Sequence, residues 1–218
     1  MHLGEKMNYI EIVNSVFFNN TYAKIEKLKK EFPVNHGFVH ISGVIRNAKY
    51  ISDLFGLDAH QKELLLIASA LHDIGYLVGR DDHAKNGGLL AYEYLTDKLP
   101  EQDIKIVCNA ISCHGGKNET DYQCPVAMCL ILADKLDFAK HRYKDDGKEH
   151  KNLPIFMTIQ KVELKHKQNN QYILEILTTN PELFVNLQEN YFFNKLFAMF
   201  EKLKKVCGYK VEIEFVKE

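Results

Sequence analysis

The chain lacks several features that would assign it at once. No run approaches the roughly 18 consecutive apolar residues of a bilayer-spanning helix, and the N-terminus has no basic-then-apolar signal pattern. No sign of charge dominates: 28 Lys and Arg face 29 Asp and Glu, a formal net charge of −1. That balance argues against a broad electrostatic footprint for nucleic acid. The five cysteines are odd in number and never spaced CxxC. They read as reduced thiols rather than a disulfide framework. No internal repeat or low-complexity tract is present. These absences predict a soluble cytoplasmic protein with neither membrane nor nucleic acid as partner.

With 218 residues, 46% of them hydrophobic, the chain can build a sizeable core, as one large domain or a main domain with a small appendage. From Asn8 to about Phe32 the apolar residues Ile12, Val13, Val16, Phe17, Ile25 and Leu28 recur at helical intervals. Asn19-Asn20-Thr21 is read as a break into two helices, with Thr21 as cap and Pro33 closing the segment. A longer helix is predicted from Gly37 to Phe55, burying Val44, Ile45, Ala48 and Ile51 and stopped by Gly56. Asp58 caps the next, whose Leu64-Leu65-Leu66-Ile67-Ala68 run is apolar nearly all round and therefore central. Further helices follow from His83, capped by Asp81 or Asp82, from Pro100 to Cys113, and from Pro125 to about Ala139. Gly87-Gly88 in a first helical turn costs on the order of 1 kcal/mol per glycine, which points to close helix contact first and an approaching ligand second.

After a polar stretch at 143–153 the period changes. Phe156 to Lys165 and Tyr172 to Thr178 alternate around a Gln168-Asn169-Asn170 turn. Helical period returns from Leu187 to Val206, and Tyr209 to Val216 reads as a closing strand. The fold class is mostly α: a helical bundle with a small C-terminal α+β appendage. The divisions are 1–142, with N-terminal helices at 8–32 and a core at 36–142, then a linker at 143–153 and the appendage at 154–218.

Candidate chemistry collects in the helical part. His72-Asp73 ends a strongly apolar helical run, and His40, His83, His114 and Asp134 each fall on or at the end of a predicted helix. Asp134 follows Met128 to Ala133, where an unpaired carboxylate would cost several kcal/mol to bury; a metal ion or a salt bridge removes that cost. His36 lies one turn before His40, and His-x-x-x-His can bind a metal by itself. His40 is preferred because it continues the stripe through Val44, Ala48 and Ile51. His36 joins His2, His60, His141, His150 and His166 as residues read without a ligand role.

His40, His72-Asp73 and Asp134, set in Ala70-Leu71-His72-Asp73-Ile74-Gly75 and Leu132-Ala133-Asp134-Lys135-Leu136, resemble the HD-domain metal-dependent phosphohydrolases. The resemblance covers about 36–142 and leaves the C-terminal part unaddressed. His83 and His114 match the added histidines of members with two metals, among them diadenosine-polyphosphate hydrolases and some cyclic-dinucleotide phosphodiesterases. The resemblance implies a first ion on His40, His72, Asp73 and Asp134, and a second on His83 and His114 with Asp73 as bridge. It favours iron or manganese; zinc, cobalt, nickel or magnesium are the alternatives, and the mixed donor set does not suit calcium. Tyr76 stands where cyclic-dinucleotide members often have lysine, and their glycine-tyrosine-proline extension is absent. Both departures argue against that activity.

The implied reaction is hydrolysis of a phosphoester or phosphoanhydride of a small phosphorylated metabolite, a nucleotide first, by a metal-activated water. Asp73, Lys135 and Asp137 are the candidate catalytic and supporting groups, and Arg80 and Arg142 the candidate phosphate grips. The same six ligands also occur in di-iron oxygenases of this fold, so an oxygenase is the second reading. A non-enzymatic, metal-stabilised nucleotide sensor or scaffold is the third. Homodimerisation is the default expectation for assembly.

Overall fold

A computed structural model describes residues 7–28, 34, 36–143, 153–184 and 186–218. The expected closing role of Pro33 and most of the 143–153 linker lie outside the described residues. The first part is helical: α1 (Tyr9–Val13), α2 (Val16–Leu28), α3 (Phe38–Leu54), α4 (Ala59–Leu71), α5 (His83–Leu95), α6 (Glu101–Cys113) and α7 (Pro125–Lys135). A short α8 (Leu153–Thr158) leads into β1 (Ile159–Gln168) and β2 (Gln171–Thr178), then α9 (Tyr191–Cys207) and β3 (Lys210–Lys217). The chain is mostly α with a small α+β unit at its C-terminal end, as expected. No helix among the described residues is long and apolar enough to cross a membrane.

Local chemistry explains most boundaries. Asp58 and Gln61 form a reciprocal capping box at the start of α4, and Pro125 occupies the first turn of α7. Gly56, at φ 68°, stops α3 where a side chain would be strained. The break between the first two helices falls at Asn14–Ser15 and not at Asn19-Asn20-Thr21. Ser15 takes the cap: its Oγ accepts from the Phe18 amide, and Asn19 Nδ2 donates to the Ser15 carbonyl. Thr21 is instead buried within α2. Asp82 does sit at the N-cap of α5, but in the left-handed region at φ 54° and without a side-chain bond to the helix.

Every residue of α4 from Leu64 to Leu71 is buried, as is α7 from Val126 to Asp134. These two helices form the centre, α4 packing on α3, α6 and α7. Close approach is set by glycines. A Cβ on Gly75 would lie 1.9 Å from the His83 carbonyl oxygen, and one on Gly88 2.1 Å from Ser112 Oγ. The Gly87-Gly88 cost is thereby explained by α5 packing against α6 and the turn after α4.

α7 ends at Lys135, short of Ala139, because the chain bends there. Asp137 turns to His40 while Phe138 enters an aromatic cluster with Phe156, Phe192 and Phe193. Phe156 belongs to α8 and not to the expected strand, which begins at Ile159. The long C-terminal helix starts at Tyr191 rather than Leu187, where Asn190 Oδ1 accepts from the Phe192 and Phe193 amides. The sheet has order β1-β2-β3, with β1 antiparallel and β3 parallel to β2. Tyr172, Leu174 and Ile176 bury one sheet face, and a single cluster of buried apolar residues runs from them into the helices.

Replacing Gly75 by alanine drives a methyl group into backbone that cannot rotate away. The expected loss is about 1–3 kcal/mol, read as a fall of about 2–4 °C in melting temperature per kcal/mol. An unchanged melting temperature would contradict the packing described.

Candidate metal centre

His72 and His114 occupy the C-cap positions of α4 and α6, where helix carbonyls lose their intrahelical partners. Each ring meets that need. His72 Nδ1 lies 2.9 Å from the Ser69 carbonyl oxygen, and His114 Nδ1 2.6 Å from that of Ile111. His83, at the start of α5, does the same with Arg80 at 3.0 Å. A carbonyl only accepts, so all three rings carry their proton on Nδ1 and present a bare Nε2. His40 reaches the same state through a different acceptor, Asp137 Oδ2, at 2.7 Å.

The four Nε2 atoms converge with two carboxylates. His40 and His72 are 3.3 Å apart at Nε2, His83 and His114 3.1 Å. Asp134 Oδ1 is 3.2 Å from His40 Nε2 and 3.8 Å from His72 Nε2. Asp73 uses its two oxygens differently. Oδ2 lies 3.6 Å from His40, while Oδ1 lies 3.5, 3.7 and 3.9 Å from His72, His114 and His83. Two groups able to hold an ion result, His40-His72-Asp134 and Asp73-His83-His114. Two ligands about 2.1 Å from one ion stand about 3.0–3.4 Å apart for right-angled or tetrahedral bonding. The nitrogen pairs fit that spacing.

The electrostatics agree. Burial opposes ionisation of Asp73, yet His72, His36 and His40 hold its carboxyl well below the usual range. Burial likewise opposes ionisation of Asp134, and Lys135 with His40 and His72 outweighs it. Burial pushes His114 down to about 3 and lowers His72. For His40, burial and Arg142 act downward but the Asp134 and Asp137 carboxylates leave a net rise. Ionised carboxylates thus face imidazoles, several neutral, whose lone pairs point at one another. Divalent cations suit that arrangement, and the donor set fits them.

The structure therefore brings all six sequence-predicted ligands together. Asp137 lies behind His40 and also accepts from His141 Nε2, 2.9 Å from its Oδ1. Gly43 makes this possible, since a Cβ there would lie 2.2 Å from Asp137 Oδ1. Lys135 Nζ donates to Asp134 Oδ2, turning Oδ1 to the histidines. Arg142 is buried, donating to the Asp137 carbonyl at 2.8 Å and to His40 Nε2 at 3.2 Å. Arg80 has an exposed side chain, and its carbonyl fixes His83.

Two histidines set aside on sequence grounds belong here. His141 braces Asp137, and His36 places Nδ1 3.1 Å from Asp73 Oδ2 with its ring 4.6 Å from that of Tyr76. The His-x-x-x-His spacing was the available signal for His36. His141 lies four residues after Asp137, a spacing that becomes an ion pair in the bend after α7. Because His40 has a single inward nitrogen, the further His36-His40-Asp73 grouping competes with the first group for it. His83 and His36, with side chains 27% and 20% exposed, mark the open side of an otherwise buried centre.

Histidines and aspartates gathered from successive helices around a buried centre define a class, helical bundles with a candidate metal centre. The HD domain family model matches residues 37–139, and this part of the chain is an HD domain. No curated protein matches the chain. HD domains are mostly metal-dependent phosphohydrolases, and the buried His/Asp clusters are able to hold metal ions.

Asp137→Ala removes the acceptor that orients His40, and Gly43→Ala displaces the same carboxylate. Either substitution is expected to weaken metal binding about 10–100-fold in competition with a chelator. Wild-type affinity in both variants would refute the bracing role.

Proposed function

We propose that the protein is a dinuclear metal-dependent phosphohydrolase acting on a small phosphorylated metabolite, a nucleotide first. The observation that carries this reading is the division of Asp73. One oxygen faces His40, and the other lies between His72 and the His83-His114 pair. A carboxylate so placed can join two ions, each completed by its own histidines. Divalent ions held there would acidify a water and neutralise charge on a phosphate.

The chain's own groups then have defined work. Asp137 keeps His40 in the tautomer that offers Nε2. Lys135 shields one Asp134 oxygen and sets positive charge beside the centre. Arg142 adds a second fixed cation on the His40 side, and Arg80 an exposed one near His83. Together they suit a phosphate entering from the side where His83 and His36 are partly exposed. Iron or manganese is the preferred pair, and a protomer pair the assumed assembly.

Metal analysis of the protein as purified, followed by phosphate release from nucleotides and dinucleotides with manganese in anaerobic buffer, tests the reading. About two metal equivalents per chain are expected. His72→Ala and Asp73→Ala should lose both metal and turnover, while His83→Ala or His114→Ala should keep the first ion. A metal-free variant with full activity refutes the proposal. Oxygen uptake by the iron form without phosphate release would move the chemistry to a di-iron oxygenase.

A further inference from the structure

A second cavity, of about 500 Å³, lies behind the metal centre between α3, the bend after α7 and β1. Its size falls within the roughly 300–1,000 Å³ range of small-molecule sites. Buried Ile51, Leu136 and Leu164 give it an apolar floor, and Arg46, Tyr50 and Lys161 stand exposed around it. Its negative groups are already engaged. Asp137 is held between His40 and His141, and Glu163 pairs with Lys161 at 3.0 Å and Lys165 at 3.7 Å. Arg46, in contrast, makes no ion pair or hydrogen bond among the described residues. An uncommitted guanidinium therefore stands beside a half-exposed phenol ring over an apolar floor.

We propose that this cavity is a regulatory site for a small planar anion, a nucleoside monophosphate, coupled to the metal centre through His141, Asp137 and His40. A base would rest on Tyr50 and the floor, and the phosphate would meet Arg46 and Lys161. The coupling path is short. His141 and Asp137 both line the cavity, His141 Nε2 is 2.9 Å from Asp137 Oδ1, and Asp137 Oδ2 is 2.7 Å from His40 Nδ1. A ligand that shifts His141 changes how firmly His40 is aimed at the ions. By linkage, metal binding changes affinity in the cavity by the same factor. The binding claim stands without the proposed hydrolysis, and the coupling claim needs only the metal site.

The chain has no tryptophan, so Tyr50→Trp installs a single fluorescent reporter at an exposed position. The probe is the phosphonate analogue of AMP, in which methylene replaces the ester oxygen and turnover is blocked. Added to the manganese-loaded full-length variant, it should give a saturable fluorescence change. Adding Arg46→Glu should weaken that binding about tenfold or more. In protein that keeps Arg46, the analogue should also alter manganese affinity about fivefold or more, and His141→Ala should erase the difference. No saturable change, or equal binding with Arg46→Glu, overturns the site. A manganese shift that survives His141→Ala overturns the route. Calorimetric titration of wild type against Arg46→Glu reads the same affinity difference if Tyr50→Trp does not fold.

Discussion

The centre depends on where four imidazole protons are kept. Each Nδ1 is committed to an acceptor outside the cluster: a carbonyl for His72, His83 and His114, a carboxylate for His40. The inward nitrogens are therefore bare in advance of any ion. The three carbonyls are also groups at helix ends or turns, where intrahelical acceptor bonds run out. One hydrogen bond thus satisfies the backbone and sets the tautomer. The order imposed on the cluster follows from this, since inward nitrogens about 3 Å apart carry no proton to share, and that of His40 accepts from Arg142.

The bundle protects that arrangement by placing it at the ends of its two most buried helices. α4 delivers His72 and Asp73 as it terminates, and α7 carries Asp134 inside an otherwise apolar stretch. A carboxylate in that position is tolerable only with compensating charge. Lys135 supplies it within the chain. Gly75 and Gly87 let the turn after α4 lie against α5, which brings His83 opposite His114. Packing and site are therefore one construction, and the C-terminal unit extends the same core through α9 and the sheet.

Much of this was legible before any coordinates. Periodicity located the main helices and both hairpin strands, and the uniformly apolar α4 was correctly read as central. Errors came where a local cue met a competing one. Asn19-Asn20-Thr21 looked like a break, but Ser15 offered an earlier cap; Phe156 alternated like a strand residue, but its ring was drawn into an aromatic cluster. Both reflect long- or medium-range partners outweighing local propensity.

The sequence by itself singled out the six residues that the structure gathers, because a histidine or aspartate at the end of an apolar helix is chemically conspicuous wherever the helix later packs. It also determined the helical class, because burial demands the 3.6-residue period. Only the tertiary structure set the distances among them. α5 and α6 present His83 and His114 to the Asp73 oxygen that also faces His72, and α3 presents His40 to the other. The supporting residues His141 and His36, and the cavity behind Asp137, arise the same way. Their roles rest on distances that only the folded chain sets.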